Sequence, residues 1–217
     1  MRPALERTIE IDMNPQDPKP KTQVALLLGG DSTEREISLK SGRAMADALS
    51  QGATGEKYDV QIFDVSSQPE RGLWMDESKL SADEVSSLQS WWNGDARCRS
   101  LHWRDVSTLL RCDVALLTTH GGWGEDGTLQ SLLEVAGVAY SGSPPKACAV
   151  AMDKNLCKAV ARDCDLTLAR GEVVTEFVAA PPFLPCIVKP NDGGSSVGVS
   201  RVLEEKDWAQ ALHSGLN

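Results

Sequence analysis

Residues 24–28, Val24-Ala25-Leu26-Leu27-Leu28, are apolar without interruption and run straight into Gly29-Gly30. A strand apolar on both faces must be covered on both, which restricts it to the interior of a parallel sheet flanked by helices. The glycine pair gives the tight turn such a strand needs before a helix. Thr33-Glu34-Arg35-Glu36 then has the capping-box spacing, with Thr33 as N-cap and Glu36 reaching back. Ile37, Ala44, Met45, Ala48 and Leu49 recur at helical spacing, and residues 58–65 alternate as a second strand. Strand, glycine turn, helix and strand make a βαβ unit, so the expected class is α/β with a Rossmann-like parallel sheet.

The pattern weakens over residues 66–111, where Trp74, Trp91, Trp92 and Trp103 stand among Ser, Asp and Glu. An insertion packed onto the domain by its aromatics is expected there. Residues 113–119 restore the buried-strand signal. Leu129, Leu132, Leu133 and Ala136 mark a helix stopped by Gly137, and residues 138–141 read as a short strand. A helix should run from Ser143-Pro144-Pro145 through Ala161. Residues 184–201 read as two strands around a glycine loop, and a last helix over 204–212 carries Trp208, Ala211 and Leu212 on one face. Three segments result: a disordered tail at 1–22 with Pro15, Pro18 and Pro20, a first domain at 23–145, and a second unit at 146–217.

A formal net charge of −9 over 217 residues argues against a nucleic-acid or anionic-membrane partner, since either wants a basic face. No apolar stretch approaches the roughly 20 residues of a membrane span. The first residues lack the apolar core of a signal peptide, so the expected address is the cytoplasm. The six cysteines form no C-x-x-C pair and read as reduced, buried thiols.

Three loops hold the candidates for chemistry. The run Cys186-Ile187-Val188 delivers Lys189 at a strand end, and Pro190-Asn191-Asp192-Gly193-Gly194-Ser195-Ser196-Val197-Gly198 follows. Glycines leave backbone N–H groups open to a phosphate and serines add hydroxyl donors, so the run reads as a nucleotide-phosphate cradle. It is not a Walker loop, in which the lysine follows the glycines. His120-Gly121-Gly122-Trp123-Gly124-Glu125-Asp126-Gly127 sits between a buried strand and a helix, where ligands bind in open α/β sheets. His120 is the substrate candidate there. Asp126 fits a helix cap and Glu125 a complement to the helix dipole. In the first turn the capping box occupies Glu36 and leaves Glu34 for function. The spacing is not G-x-G-x-x-G, and its acids would repel a pyrophosphate, which disfavours a dinucleotide.

In this order, Gly29-Gly30-x-Ser32-x-Glu34-Arg35-Glu36-x-Ser38, the His120 loop, Tyr140-x-Gly142-Ser143 and Met152-Asp153-Lys154 lead to Ile187-Val188-Lys189-Pro190 and Gly194-Ser195-Ser196-Val197-Gly198-Val199. The series resembles the D-alanine–D-alanine ligases of the ATP-grasp superfamily. The resemblance implies a partial ATP-grasp domain after the first domain, and ATP and D-alanine as ligands. It implies joining of two D-alanines through an acyl phosphate, for a peptidoglycan precursor. Lys154 and Lys189 would bind ATP phosphates, with Gly194, Ser195 and Ser196 covering them. Glu34 would hold the first D-alanine's ammonium and hydrogen-bond Ser195, and His120 would lie beside that D-alanine. The family also uses Mg2+, but its metal ligands, an adenine-contacting strand and an arginine belong to segments beyond Asn217. The chain is therefore expected to be a truncated ligase, inactive alone, and a homodimer is the expected assembly. A D-alanine–D-lactate ligase or a non-catalytic binding fragment are the alternatives. Asn191-Asp192 departs from the basic or small residues usual before the loop.

Overall fold

The computed structural model describes residues 20–216. The chain opens with β1 (Thr22–Gly29), α1 (Arg35–Ser50), the short α2 (Gly52–Lys57) and β2 (Tyr58–Ser66). Next come α3 (Ala82–Gly94), β3 (Cys98–His102), β4 (Val114–Leu117) and α4 (Thr128–Ala136). The chain ends with α5 (Pro145–Met152), α6 (Lys154–Asp163), β5 (Cys186–Val188), β6 (Ser200–Val202) and α7 (Trp208–Leu216). The expected tail at 1–22 lies, up to residue 19, outside the described residues, and Thr22 already belongs to β1.

Four parallel strands in the order β3-β2-β1-β4 form the main sheet. Its register places Leu26 opposite both Ile62 and Leu116. β1 has neighbours on both edges and helices on both faces, which is why its apolar run is unbroken. Ala25 and Leu27 join Ala115, Leu129 and Leu133 in one core, while Val24, Leu26 and Leu28 join Leu39, Ala46 and Ile62 in another. Leu26, Leu27 and Leu28 are fully buried, and each such side chain stabilises the fold by about 1.5–3 kcal/mol.

The α/β class and the βαβ start are thus present. Four local expectations are corrected. The capping box at Thr33 does not form: α1 starts at Arg35 and no side chain caps it. Glu36 instead accepts from the Asp76 N–H at 2.7 Å and faces the Lys79 ammonium at 3.5 Å, because this buried carboxylate must serve the segment packed over it. The helix expected through Ala161 is two, since Asp153 leaves the helical conformation and its carboxylate accepts from the Leu156 N–H at 2.8 Å, starting α6. The strand expected at 138–141 reduces to a single bridge between Ala115 and Tyr140. All six cysteines are free, but none is fully buried: Cys98, Cys112, Cys148 and Cys186 are half-buried, while Cys157, on a helix that buries no residue, and Cys164 just after it are exposed. Burial pushes the Cys98 thiol up to about 12.

Residues 66–111 do pack by their aromatics, with Trp91 and Trp92 against the core around Leu88. They also provide β3, which pairs with β2, and the capped helix α3. Ser81 Oγ accepts from the Glu84 N–H at 3.3 Å and Glu84 Oε2 accepts from the Ser81 N–H at 2.8 Å. Lys40, on α1, donates to Glu84 Oε1 at 2.6 Å. The Lys40 hydrogen bond first, then those of Ser81, lower the Glu84 carboxyl from 4.5 to about 2. A carboxyl depressed in the folded state adds stability above its unfolded value and loses it on acidification. Glu84→Gln should therefore be less resistant to urea than the parent at neutral pH. The gap should close as pH falls from 4.5 towards 2. Urea midpoints of both proteins across that window check this, and a gap that persists at the acid end would remove Glu84 as its source.

The two strands expected around the glycine loop are present as β5 and β6, and they pair antiparallel. Trp208, Ala211 and Leu212 bury one face of α7 on Val202. Trp208 Nε1 donates to the Val178 carbonyl at 2.8 Å. Among the described residues no helix is long and apolar enough to cross a membrane.

Candidate functional site

The carboxyl ends of β1 and β4 lie side by side, and the hydrogen bonds between them set the site's floor. Ser38 Oγ accepts from the Gly29 N–H at 2.8 Å and donates to the Thr118 carbonyl at 2.6 Å. Thr118 donates through its N–H and its hydroxyl to the Leu27 carbonyl. Arg35, 1% exposed, runs beneath the turn and pairs both ways with Asp64, at 2.8 and 2.7 Å. It also donates to the carbonyls of Gly30 and Trp74, and its guanidinium sits 4.1 Å from the centroid of the Trp74 ring. Burial pushes the Asp64 carboxyl up, against the opposing pull of Arg35. Position 29 must be glycine: its φ is +87°, and a Cβ would stand 2.0 Å from Asp64 Oδ1.

Above this floor the turn meets the His120 loop. Ser32 Oγ donates to the His120 carbonyl and accepts from the Glu34 N–H at 3.1 Å. The backbone carbonyl of Glu34 receives Ile37 and Ser38, while its half-buried side chain makes no capping bond. That carboxylate points towards two glycines from different parts of the chain. A Cβ on Gly121 would be 3.0 Å from Glu34 Oε2, and one on Gly194 would be 2.8 Å from the same atom. The His120 ring sits with Nδ1 3.9 Å from Glu125 Oε1. Asp126 accepts from the Thr128 N–H at 2.9 Å, a structural task at the start of α4.

The glycine loop reaches Glu34 at one end and Lys154 at the other. Lys154 Nζ donates to the Gly193 carbonyl at 2.9 Å and to the Asn191 carbonyl at 3.3 Å. Ser195 and Ser196 are exposed and left-handed, with φ of +52° and +61°. Lys189 is exposed after β5. The structure therefore brings together Glu34, the His120 loop, Gly194 and Lys154. Among the described residues no hydrogen bond joins Glu34 to Ser195, and Gly194 is the loop residue that meets the carboxylate.

Arg35 and Asn191 are the residues that pattern reading passes over. An arginine beside two glutamates in a first helical turn looks solvated, and only the three-dimensional pairing with Asp64 shows its role. Asn191 stands out in the sequence only as a departure from the usual loop.

A family profile described as D-ala D-ala ligase N-terminus matches residues 23–143. A D-alanine–D-alanine ligase of Rhodopseudomonas palustris is 38% identical over 190 residues, covering 85% of this chain and 48% of the relative. One from an Anaeromyxobacter species is 37% identical, covering 87% of this chain and 51% of the relative. The chain spans about half the length of these curated relatives. Among solved structures, the Helicobacter pylori D-alanine-D-alanine ligase superimposes with a TM-score of 0.63 at 25% identity, covering 89% of this chain and 60% of that one. The VanG D-Ala:D-Ser ligase of Enterococcus faecalis gives 0.65 at 25% identity, covering 90% and 60%. The profile spans more than half of the chain and takes in both loops at the sheet's carboxyl edge, so the chain belongs to the D-alanine–D-alanine ligase family.

Proposed function

We propose that this site serves the ATP-dependent joining of two D-alanine molecules, in the cytoplasm, for a peptidoglycan precursor. The observation that carries the reading is the convergence of Glu34, the His120 loop and the glycine loop at one point. Glu34 is a carboxylate without a capping duty and would receive an ammonium. His120 would flank the same D-alanine. Lys154 and Lys189 would hold ATP phosphates, and Gly194, Ser195 and Ser196 would close over them with N–H and hydroxyl donors.

In this reading the carboxylate of the first D-alanine takes the terminal phosphoryl group of ATP, and ADP leaves. The amine of the second then attacks the acyl phosphate, and the tetrahedral intermediate collapses to dipeptide and phosphate. The chain's own residues fix the first substrate by its ammonium and place cations where phosphoryl charge develops. Among the described residues no group of three or more His, Cys, Asp or Glu could hold a metal, so these residues do not fit a magnesium site of their own. The domain division at about residue 145 is part of the same proposal, with the phosphate-binding lysines on the second unit.

The test for the phosphate half is calorimetric titration with ATP. Lys189→Ala should weaken binding by roughly 1.5–3 kcal/mol, the size of one charge-assisted contact, with an unchanged melting temperature. Equal ATP titrations for Lys189→Ala and the parent would remove Lys189 from the site.

A further inference from the structure

We propose that Asn191 is a positioning residue for phosphate binding, clamping the start of α6, and with it Lys154, to the glycine loop. The proposal rests on the reading of Lys154 and that loop as phosphate-binding. The first N–H groups of a helix need acceptors from outside it. In α6 these come from two residues. The Asn191 carbonyl accepts from the Lys154 N–H at 2.9 Å, and Asn191 Oδ1 accepts from the Asn155 N–H at 3.0 Å. Asp153 Oδ1 takes the Leu156 N–H at 2.8 Å. The Asn191 carbonyl also lies 3.3 Å from Lys154 Nζ, so one residue fixes both the backbone and the ammonium of that lysine.

The side-chain chemistry explains why asparagine suits the position. Its amide offers an acceptor to Asn155 and a donor to the Asp153 carboxylate. The Asp153 carboxyl is held below its ordinary value by the Leu156 N–H first and the Asn191 amide second. An aspartate would keep the acceptor and set a second carboxylate beside Asp153. An alanine would keep neither. The asparagine side chain thus links the start of the helix to the loop. Without that side chain, the start of α6 is tied to the loop only by the bonds of Lys154 to the Asn191 and Gly193 carbonyls.

The experiment uses the full chain with Asn191→Ala, Asn191→Asp and, separately, Lys154→Ala. Amide hydrogen exchange at residues 154–156 is followed together with ATP titration, D-alanine titration and a thermal melt. Asn191→Ala should speed exchange at Asn155 about tenfold and weaken ATP binding about tenfold, the effect of one lost hydrogen bond. D-alanine binding and the melting temperature should not move. Asn191→Asp should keep the Asn155 protection and recover part of the ATP affinity. Unaltered exchange or unaltered ATP affinity in Asn191→Ala overturns the proposal. If Lys154→Ala weakens ATP binding and Asn191→Ala does not, the Asn191 role alone fails. If Lys154→Ala changes nothing, or the parent gives no ATP response, the phosphate-site reading fails and takes this role with it.

Discussion

Arg35→Met is expected to lower the free energy of unfolding by about 3–5 kcal/mol, because it strands a buried carboxylate. Asp64 is 0% exposed and Arg35 1%, so water replaces neither partner. The substitution also takes donors from the carbonyls of Gly30 and Trp74. Trp74 loses one of the two guanidiniums over its ring, since Arg35 and Arg71 stand 4.1 and 4.5 Å from its centroid. In a thermal melt the loss corresponds to roughly 10 °C for a chain of this size. Arg35→Met combined with Asp64→Leu should regain much of it, since removing both charges also removes their desolvation cost. Urea unfolding of the single and double variants measures both effects. A loss below about 1 kcal/mol, the range of exposed ion pairs, would contradict the buried geometry.

The second large effect is expected at Glu34. Glu34→Gln keeps the shape and removes the charge that would face an ammonium. Losing a charge-assisted contact costs about 1.5–3 kcal/mol, or roughly 10- to 150-fold in affinity for D-alanine. ATP affinity should change little. The melting temperature should hold, because α1 is capped by no side chain and Glu34 contributes to the fold through its backbone N–H and carbonyl, which the substitution keeps. A capping role would give the reverse: a lower melting temperature with D-alanine binding intact. Titration and a melt on one sample separate the two.

Much of this architecture is legible in the residues. The unbroken apolar run of β1, its glycine turn and the alternation of β2 require a covered parallel sheet, and that sheet is present. β3 is hidden because Cys98-Arg99-Ser100-Leu101-His102 is an edge strand, only partly covered and exposed at Arg99, with no periodic apolar signal. The capping-box spacing misleads at Thr33 for a local reason. Both Thr33-Glu34-Arg35-Glu36 and Ser81-Ala82-Asp83-Glu84 have that spacing, but Glu36 is drawn away by the segment over it. In the site, the Glu34 and His120 loops could be paired from their equivalent places after β1 and β4. The approach of Gly194 to Glu34 spans 160 residues of sequence and follows from packing, which periodicity does not encode.

The central claim is that the Glu34 carboxylate and the glycine loop form one site, and a double-mutant cycle tests it most directly. Gly194→Ala needs no unusual backbone angle, but its methyl would stand 2.8 Å from Glu34 Oε2 and must displace it. D-alanine affinity is measured for the parent, Glu34→Gln, Gly194→Ala and the pair. The expected result is that Gly194→Ala weakens binding in the parent and has little further effect once Glu34 is glutamine, a coupling of about 0.5–3 kcal/mol. Effects that simply add, or a Gly194→Ala protein that binds D-alanine as the parent does, would contradict a shared site.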